Sequence, residues 1–383
     1  METLTVPQGS FHLCRYPLRH HQQFRAWDAA DEYILQHVNK LHDLHDQQSI
    51  LILNDSCGAL SIALATTDSN QNIQMMSDSW LAHQALLTNL KKNNKPINAV
   101  KLLDSLQSVD SSLDLVLIKI PKSLALLEDQ LYRIRPHLDS QTRIVGAGMV
   151  KHIHRSTLKL FERIIGVTKT SLAKKKARLI YCDVNSTLKP GVSPYPKQYR
   201  LENTSITVVN HANVFSQDSL DIGTRFFLKH ISSSSQALKI VDLGCGNGLL
   251  GLIAAQRNPQ AELIFTDESY MAISSAQTNF RTLFGDHRKA EFMITNCLKG
   301  VAENSVDLIL NNPPFHLQNA VSDTIARQMF AESSKALKKG GIFVVIGNRH
   351  LGYHAILKRL FGQCEVVESN HKFVVLQAIK QVI

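Results

Sequence analysis

Leu238-Lys239-Ile240-Val241-Asp242-Leu243-Gly244-Cys245-Gly246-Asn247-Gly248 is the stretch that decides the fold. An apolar run enters a turn with a glycine at every second position, and Leu249 to Gln256 continue as a helix. Gly244, Gly246 and Gly248 let the backbone approach a ligand closely and set the following helix N-terminus beside it. Ala261 to Thr266 reads as the next strand. Asp267, 25 residues after Asp242, is then placed to accept hydrogen bonds from a ribose diol. Gly246-x-Gly248-x-x-Gly251 also satisfies the dinucleotide fingerprint, so NAD is the competing ligand.

Val306-Asp307-Leu308-Ile309-Leu310-Asn311-Asn312-Pro313-Pro314-Phe315 bears on that choice. An apolar run that stops at two prolines reads as a buried strand ended abruptly, because proline neither donates to a ladder nor continues a helix. The prolines fix the backbone beyond the strand's carboxyl end, where ligands bind in open α/β sheets. The Asn312 side-chain oxygen and the Pro313 carbonyl are left as neighbouring acceptors, with Phe315 as a flat apolar face. Two acceptors and a ring suit a planar, exocyclic amino group on a conjugated system, its N–H bonds held and its base stacked. A proline-terminated strand followed by a core phenylalanine is the plainer reading of the same residues. Asp242 ahead of the glycines, together with Asn-Pro-Pro-Phe at the end of the fourth strand, points to S-adenosylmethionine.

At 383 residues the chain is long enough for two domains with separate cores. Hydrophobic content of 44% against 19% charged is that of a globular protein, so disorder is not expected. No apolar run reaches the length of a membrane span, and the amino terminus lacks the apolar stretch of a signal peptide. No membrane association and a cytoplasmic location are expected. Cys14, Cys57, Cys182, Cys245, Cys297 and Cys364 include no C-x-x-C pair, which supports neither a disulfide framework nor a thiolate zinc site. His42-x-x-His45 and His152-x-His154 lack a carboxylate or cysteine to complete a shell, so no metal is expected. The net charge of +10 favours a polyanionic partner.

Along the first half, residues 1–20 show no clear periodicity, and Phe24 to Leu35 has the apolar spacing of an amphipathic helix. Strands are expected at Ser49–Leu53, Ile73–Met76, Leu113–Ile118 and Thr142–Val145. Helices are expected at Gly58–Ala65, Trp80–Lys91, Lys122–Ile134 and Thr157–Ile165. This alternation predicts a parallel, doubly wound sheet. The second half repeats the first with a period of about 190 residues. Gly58 to Ala65 lines up with Gly248 to Ala255, Asp78-Ser-Trp with Asp267-Glu-Ser, and Thr88-Asn89 with Thr278-Asn279. Asp114 to Pro121 lines up with Asp307 to Pro314. In this alignment Gly244 and Gly246 become Asn54 and Ser56, Asp242 becomes Ile52, and Asn312 becomes Lys119. The first copy therefore lacks the means to bind the cofactor; gripping substrate and covering apolar surface are its two open roles.

Lys169 to Arg178 carries five cations in ten residues, including Lys174, Lys175, Lys176 and Arg178, and leads into the apolar Leu179-Ile180-Tyr181. It reads either as a phosphate-contact stripe or as a solvated edge strand whose lysines discourage aggregation. Pro190-Gly191, Pro194 and Pro196 mark residues 183–203 as a linker between a domain of 1–182 and a domain of 204–383.

The chain resembles the bacterial ribosomal RNA guanine-N2 methyltransferases, and among them the large-subunit (23S) enzymes over their 16S relatives. The resemblance runs through Ala26 to Tyr33, Leu51 to Asp55, Leu172 to Ile180, Asn210-His211-Ala212-Asn213-Val214-Phe215-Ser216, and Leu220-Asp221-Ile222-Gly223-x-Arg225-Phe226-Phe227. It continues through Val241 to Gly248, Asn312-Pro313-Pro314-Phe315-His316 and Asn348-Arg349-His350-Leu351. Asn-Pro-Pro-Phe alone is shared with enzymes methylating adenine, cytosine or glutamine amides.

The resemblance implies two tandem class I methyltransferase domains, Rossmann-like with seven strands each, the first degenerate and the second active. It implies that Asp242, Gly244 and Gly246 lie along the methionine and ribose of S-adenosylmethionine, that Asp267 takes the ribose hydroxyls, and that Asn296 edges the adenine. Gly223 and Thr224 would close over the methionine end, while Asn312, Pro313 and Phe315 would hold the target amine. The implied partner is ribosomal RNA, bound by a monomer. Methylation of 16S guanine, of adenine N6 or of a glutamine amide are the rival activities, an RNA-binding assembly factor is the rival without catalysis, and a dehydrogenase is a further one.

Overall fold

The computed structural model describes residues 2–18, 25–41, 48–65, 72–236, 238–314 and 320–381. The chain forms two units, Met1–Tyr195 and Pro196–Ile383. The first opens with a hairpin, β1 (Glu2–Val6) and β2 (Gly9–Leu13), followed by α1 (Ala29–Val38), β3 (Ser49–Leu53), α2 (Ala59–Leu64), β4 (Asn72–Ser77) and α3 (Trp80–Lys92). It continues with β5 (Lys101–Asp104), β6 (Leu115–Lys119), α4 (Leu124–Ile134), β7 (Arg143–Met149), α5 (Arg155–Ile164), β8 (Gly166–Thr170) and β9 (Ala177–Val184). The second unit repeats this plan: a hairpin of β10 (Lys197–Arg200) and β11 (Thr207–Asn210), then α6 (Ile222–Leu228), β12 (Lys239–Leu243), α7 (Leu249–Arg257), β13 (Glu262–Asp267) and α8 (Tyr270–Phe284). It ends with β14 (Ala290–Ile294), β15 (Val306–Asn311), α9 (Ala320–Ala336), β16 (Leu337–Asn348), α10 (Tyr353–Phe361), β17 (Glu365–Ser369) and β18 (Phe373–Ile379).

The two seven-stranded sheets share one order, β5-β4-β3-β6-β7-β9-β8 and β14-β13-β12-β15-β16-β18-β17. They are mixed rather than wholly parallel. β9 runs against β7 and β8, and β18 against β16 and β17. Strand–helix alternation foretells the parallel part only. A link as short as 171–176 between β8 and β9 is too short for a parallel crossover and permits antiparallel pairing alone. The hairpin β1–β2 lies where the sequence shows no clear periodicity, yet Leu4, Val6, Phe11 and Leu13 alternate inward from it. Two five-residue strands give a period-2 signal too brief to stand out.

The core explains the apolar runs. β12 and β15 are covered on both faces, so Ile240 to Leu243 and Leu308 to Asn311 are continuously buried instead of alternating. Phe265 on β13 stacks on Phe292 at 5.0 Å and meets Phe280 edge-on at 5.5 Å, anchoring α8 over the sheet. The first helix begins at Ala29, later than its apolar spacing suggested, because Asp28 caps it. The Asp28 carboxylate accepts from Ala30 N at 2.8 Å, and Asp31 accepts from Asp28 N in return.

The duplication holds down to single hydrogen bonds. Asp114 accepts from Ser49 N at 2.7 Å, and Asp307 accepts from Lys239 N at 2.7 Å. Asn89 accepts from Cys14 N and donates to Cys14 O and Cys57 O; Asn279 accepts from Val209 N and donates to Val209 O and Asn247 O. Register shifts one sequence pairing. Met76 stands opposite Leu53 as Thr266 stands opposite Leu243, so Ser77, not Asp78, occupies the position of Asp267. Asp78 is instead buried, accepting from Ser105 Oγ at 2.7 Å. The division between units falls inside the 183–203 stretch, and Lys197–Arg200 within it pairs as β10, with Leu201 buried in the second core.

Candidate active site

In the second sheet the strand order reverses between β12 and β15, and a crevice opens at the carboxyl ends of such neighbours. The glycine loop leaves β12 there. Gly244 and Gly246 take φ of +67° and +55°, conformations glycine adopts without cost. A Cβ added to Gly246 would meet nothing within 4 Å, and one on Gly244 only the Met329 methyl at 3.2 Å, so this side of the loop is open to a ligand. The loop is braced from behind. Gly244 N and Cys245 N donate to Thr266 O, Gly246 N donates to the Asp267 carboxylate at 3.0 Å, and Asn247 donates to Asn210 at 2.9 Å.

Asp242 lies beneath the loop, fully buried. Its carboxylate accepts from Gly251 N at 2.8 Å, and its second oxygen meets no donor among the described residues. Burial pushes this carboxyl up to about 8; the Gly251 N–H opposes the rise and the charge of Asp267 adds to it. Burial and the same two carboxylates hold the Cys245 thiol well above its ordinary range. Asp267, at the end of β13, accepts from Gly246 N and Ser269 N, facing the loop. A carboxylate offers about four acceptor sites, the chemistry that a ribose diol requires.

Asn311 ends β15 beside the loop, and Asn312 follows it. Asn311 is buried and ties the two strands by donating to Leu243 O at 2.8 Å. Asn312 donates through Nδ2 to Thr224 Oγ1 at 3.1 Å, while its Oδ1 is buried and meets no donor among the described residues. Thr224 belongs to the first turn of α6, where the Asp221 carboxylate accepts from Thr224 N at 2.8 Å and from Thr224 Oγ1 at 3.2 Å. Gly223 makes room for this cap: a Cβ there would sit 3.0 Å from the Asp221 oxygen and 3.2 Å from the Phe373 ring. The structure thus brings together Asp242, Gly244, Gly246, Asp267, Thr224 and Asn312, with Pro313 buried next in chain. Asn296 lies two residues past β14, half-buried. Phe315 lies outside the described residues.

Two family profiles cover most of the chain: the RLMG N-terminal domain over residues 1–186 and the methyltransferase small domain over residues 205–377. The chain is 47% identical to the ribosomal RNA large subunit methyltransferase G of Streptomyces griseus, covering all of both chains. It is 46% identical to that of Pseudoalteromonas atlantica, covering 99% of each. The chain belongs to the ribosomal RNA large subunit methyltransferase G family. Among solved structures, the T. thermophilus 16S rRNA N2 G1207 methyltransferase (RsmC), in complex with AdoMet and guanosine, shares its fold. The TM-score is 0.77 at 19% identity, over 99% of this chain and 98% of that one. The fold is that of two tandem methyltransferase domains.

In the first unit of this methyltransferase G family member, the residues at the corresponding positions bond to one another. Asn54 keeps the left-handed backbone of Gly244, with φ of +64°, but its amide is paired to Gln130 and donates to Lys119 O. Lys119, at the position of Asn312, drives its ammonium between Asp31 at 2.7 Å and Asp28 at 2.8 Å. Burial lifts the Asp31 carboxyl to about 6, against the pull of Lys119. Asp55 replaces Asp242 by accepting from Ser61 N and Ser61 Oγ, each at 2.8 Å.

The predicted basic stripe is divided. Lys175 pairs with Glu32 at 2.8 Å and Lys174 lies over the Tyr33 ring, while Lys176 is exposed and Arg178 is half-buried in β9. Lys169 lies on β8, the edge strand of its sheet. Asp221 is expected from sequence only as part of the Asp221-Ile222-Gly223-Thr224 turn over the methionine end, and its bonds to Thr224 are what the structure adds. Its signal was Asp221-x-x-Thr224 ahead of the apolar Phe226-Phe227-Leu228, the spacing of a helix cap.

Proposed function

We propose that the chain transfers a methyl group from S-adenosylmethionine to the exocyclic N2 amine of a guanine in 23S ribosomal RNA. The observation that carries this reading is the unmatched Asn312 Oδ1, held at the end of β15 beside an open glycine loop. The full-length identity to the methyltransferase G relatives supports the large-subunit RNA as substrate. S-adenosylmethionine, when bound, supplies a sulfonium methyl to a nucleophile.

The chain's own residues bind and align. Gly244 and Gly246 would let the cofactor's methionine and ribose lie against the loop, Asp267 would accept from the ribose hydroxyls, and Asn296 would edge the adenine. Asn312 Oδ1 and the Pro313 carbonyl would accept the two N2 protons, which points the nitrogen lone pair at the methyl, with Phe315 behind the base. Alignment of this kind can lower a barrier by roughly 7–11 kcal/mol. No side-chain base is needed: once the methyl is added, N2 becomes acidic and its proton leaves to water. A guanine stacked in the RNA must first turn out, at a cost of a few kcal/mol.

In this reading the first unit holds RNA through Lys174, Lys175, Lys176 and Arg178 and takes no cofactor, and the chain works as a cytoplasmic monomer. Among the described residues no helix is long and apolar enough to cross a membrane. The test is incubation with methyl-labelled S-adenosylmethionine and ribosomal RNA lacking guanine-N2 methylation, naked and as subunits, followed by nucleoside analysis. Label in N2-methylguanosine of 23S RNA is expected. Label in 16S RNA or in N6-methyladenosine would move the substrate, and absence of cofactor binding would sink the enzyme reading.

A further inference from the structure

An asparagine in an amine-binding site has a right and a wrong way round. Its amide must present oxygen to an N–H donor, and a half-turn about the last bond would present NH2 instead and repel the substrate. At Asn312 the neighbours decide this orientation. The Asp221 carboxylate can only accept, so the Thr224 hydroxyl proton is committed to it, at 3.2 Å. With its proton placed, Thr224 Oγ1 is left as an acceptor, and the group it accepts from is Asn312 Nδ2, at 3.1 Å. The other end of the amide, Oδ1, is then the end without a partner among the described residues.

We infer that Asp221 and Thr224 are positioning residues that act through Asn312, locking its amide with the oxygen toward the substrate amine. This rests on the proposed amine-binding role of Asn312, and it changes what Thr224 is for: the residue orients an acceptor rather than merely closing over the cofactor. Two further features fit the assignment. Asp221 is anchored independently by Thr224 N at 2.8 Å, so its oxygen cannot swing away from the hydroxyl. Gly223 is the residue size that the carboxylate's seat against Phe373 allows.

The test compares Thr224→Val with Thr224→Ser. Valine keeps the shape and removes the hydroxyl, while serine restores it. Loosening a positioned group by about an ångström can cost on the order of 100-fold in rate. Thr224→Val is therefore expected to lower kcat by that order with KM for S-adenosylmethionine within about two-fold of wild type, and Thr224→Ser is expected to recover most of it. A loss confined to cofactor KM, or a serine variant no better than valine, overturns the inference. A second readout is independent of the methyl acceptor. In wild-type protein with labelled asparagine, the Asn312 side-chain NH2 protons should exchange slowly with solvent, and Thr224→Val should speed them. Fast exchange in wild type overturns the lock even with no RNA present. If wild type puts no label into N2-methylguanosine while that exchange is slow, the substrate reading fails and the orientation stands.

Discussion

Asn312 and Asp242 illustrate two ways a polar residue is placed by its surroundings. Asn312→Ala removes one acceptor from the proposed amine site and leaves the glycine loop untouched. Its expected cost is about 100-fold in kcat, at the low end for a single preorganised hydrogen-bonding group, with S-adenosylmethionine affinity nearly unchanged by titration calorimetry. A comparable fall in cofactor affinity would reassign the residue. Asp242 carries a pH signature. Its folded-state carboxyl is raised to about 8 from an ordinary value near 4. Between these values the folded chain holds a proton that the unfolded chain has lost, so stability falls as pH rises. Asp242→Asn, which mimics the protonated form, removes that loss. Its Tm advantage over wild type should widen from pH 5 to pH 8; an advantage that stays constant or shrinks would contradict a raised Asp242.

At the scale of elements, packing at the crossing of β13 and α7 explains the third glycine of the fingerprint. A Cβ on Gly251 would lie 2.2 Å from the Phe265 ring and 3.1 Å from the Asp242 oxygen. Gly251→Ala should destabilise the second unit by roughly 1–3 kcal/mol, the usual cost of overpacking a core, seen as a lower denaturation midpoint. An unchanged midpoint would mean that Phe265 can move aside. In the first copy the equivalent end of the sheet is held by charge. The Lys119 side chain is 14% exposed and that of Asp31 8%, so Lys119→Ala strands a buried carboxylate. Removing one partner of a buried pair typically costs about 3–5 kcal/mol, and chemical denaturation of the full chain should show a loss of that size. The element boundaries in the two copies were legible within a few residues wherever apolar runs were long. The start of the first helix, Ala29 rather than Phe24, was not, because a cap such as Asp28 is a hydrogen bond and not a pattern of hydrophobicity.

For the whole molecule, a net charge of +10 sets how it meets RNA. The logarithm of the affinity for a 23S fragment should fall linearly with the logarithm of salt concentration. Lys176→Ala should reduce that slope by about 1 if Lys176 touches a phosphate; fluorescence anisotropy over a salt series measures this, and an unchanged slope would leave Lys176 a solvated residue of the turn between β8 and β9. By itself the sequence determined the tandem α/β fold, the decay of the first copy, and the glycine loop and Asn-Pro-Pro pair, because each is a local pattern of residue types at short spacing. The reversed strands β9 and β18, the exchange of Ser77 for Asp78 opposite Asp267, and the Asp221–Thr224–Asn312 chain were decided only by the tertiary structure. Strand direction and register depend on which backbones pair across the sheet. The orientation of one amide depends on where a residue 88 positions away in the chain places its hydroxyl.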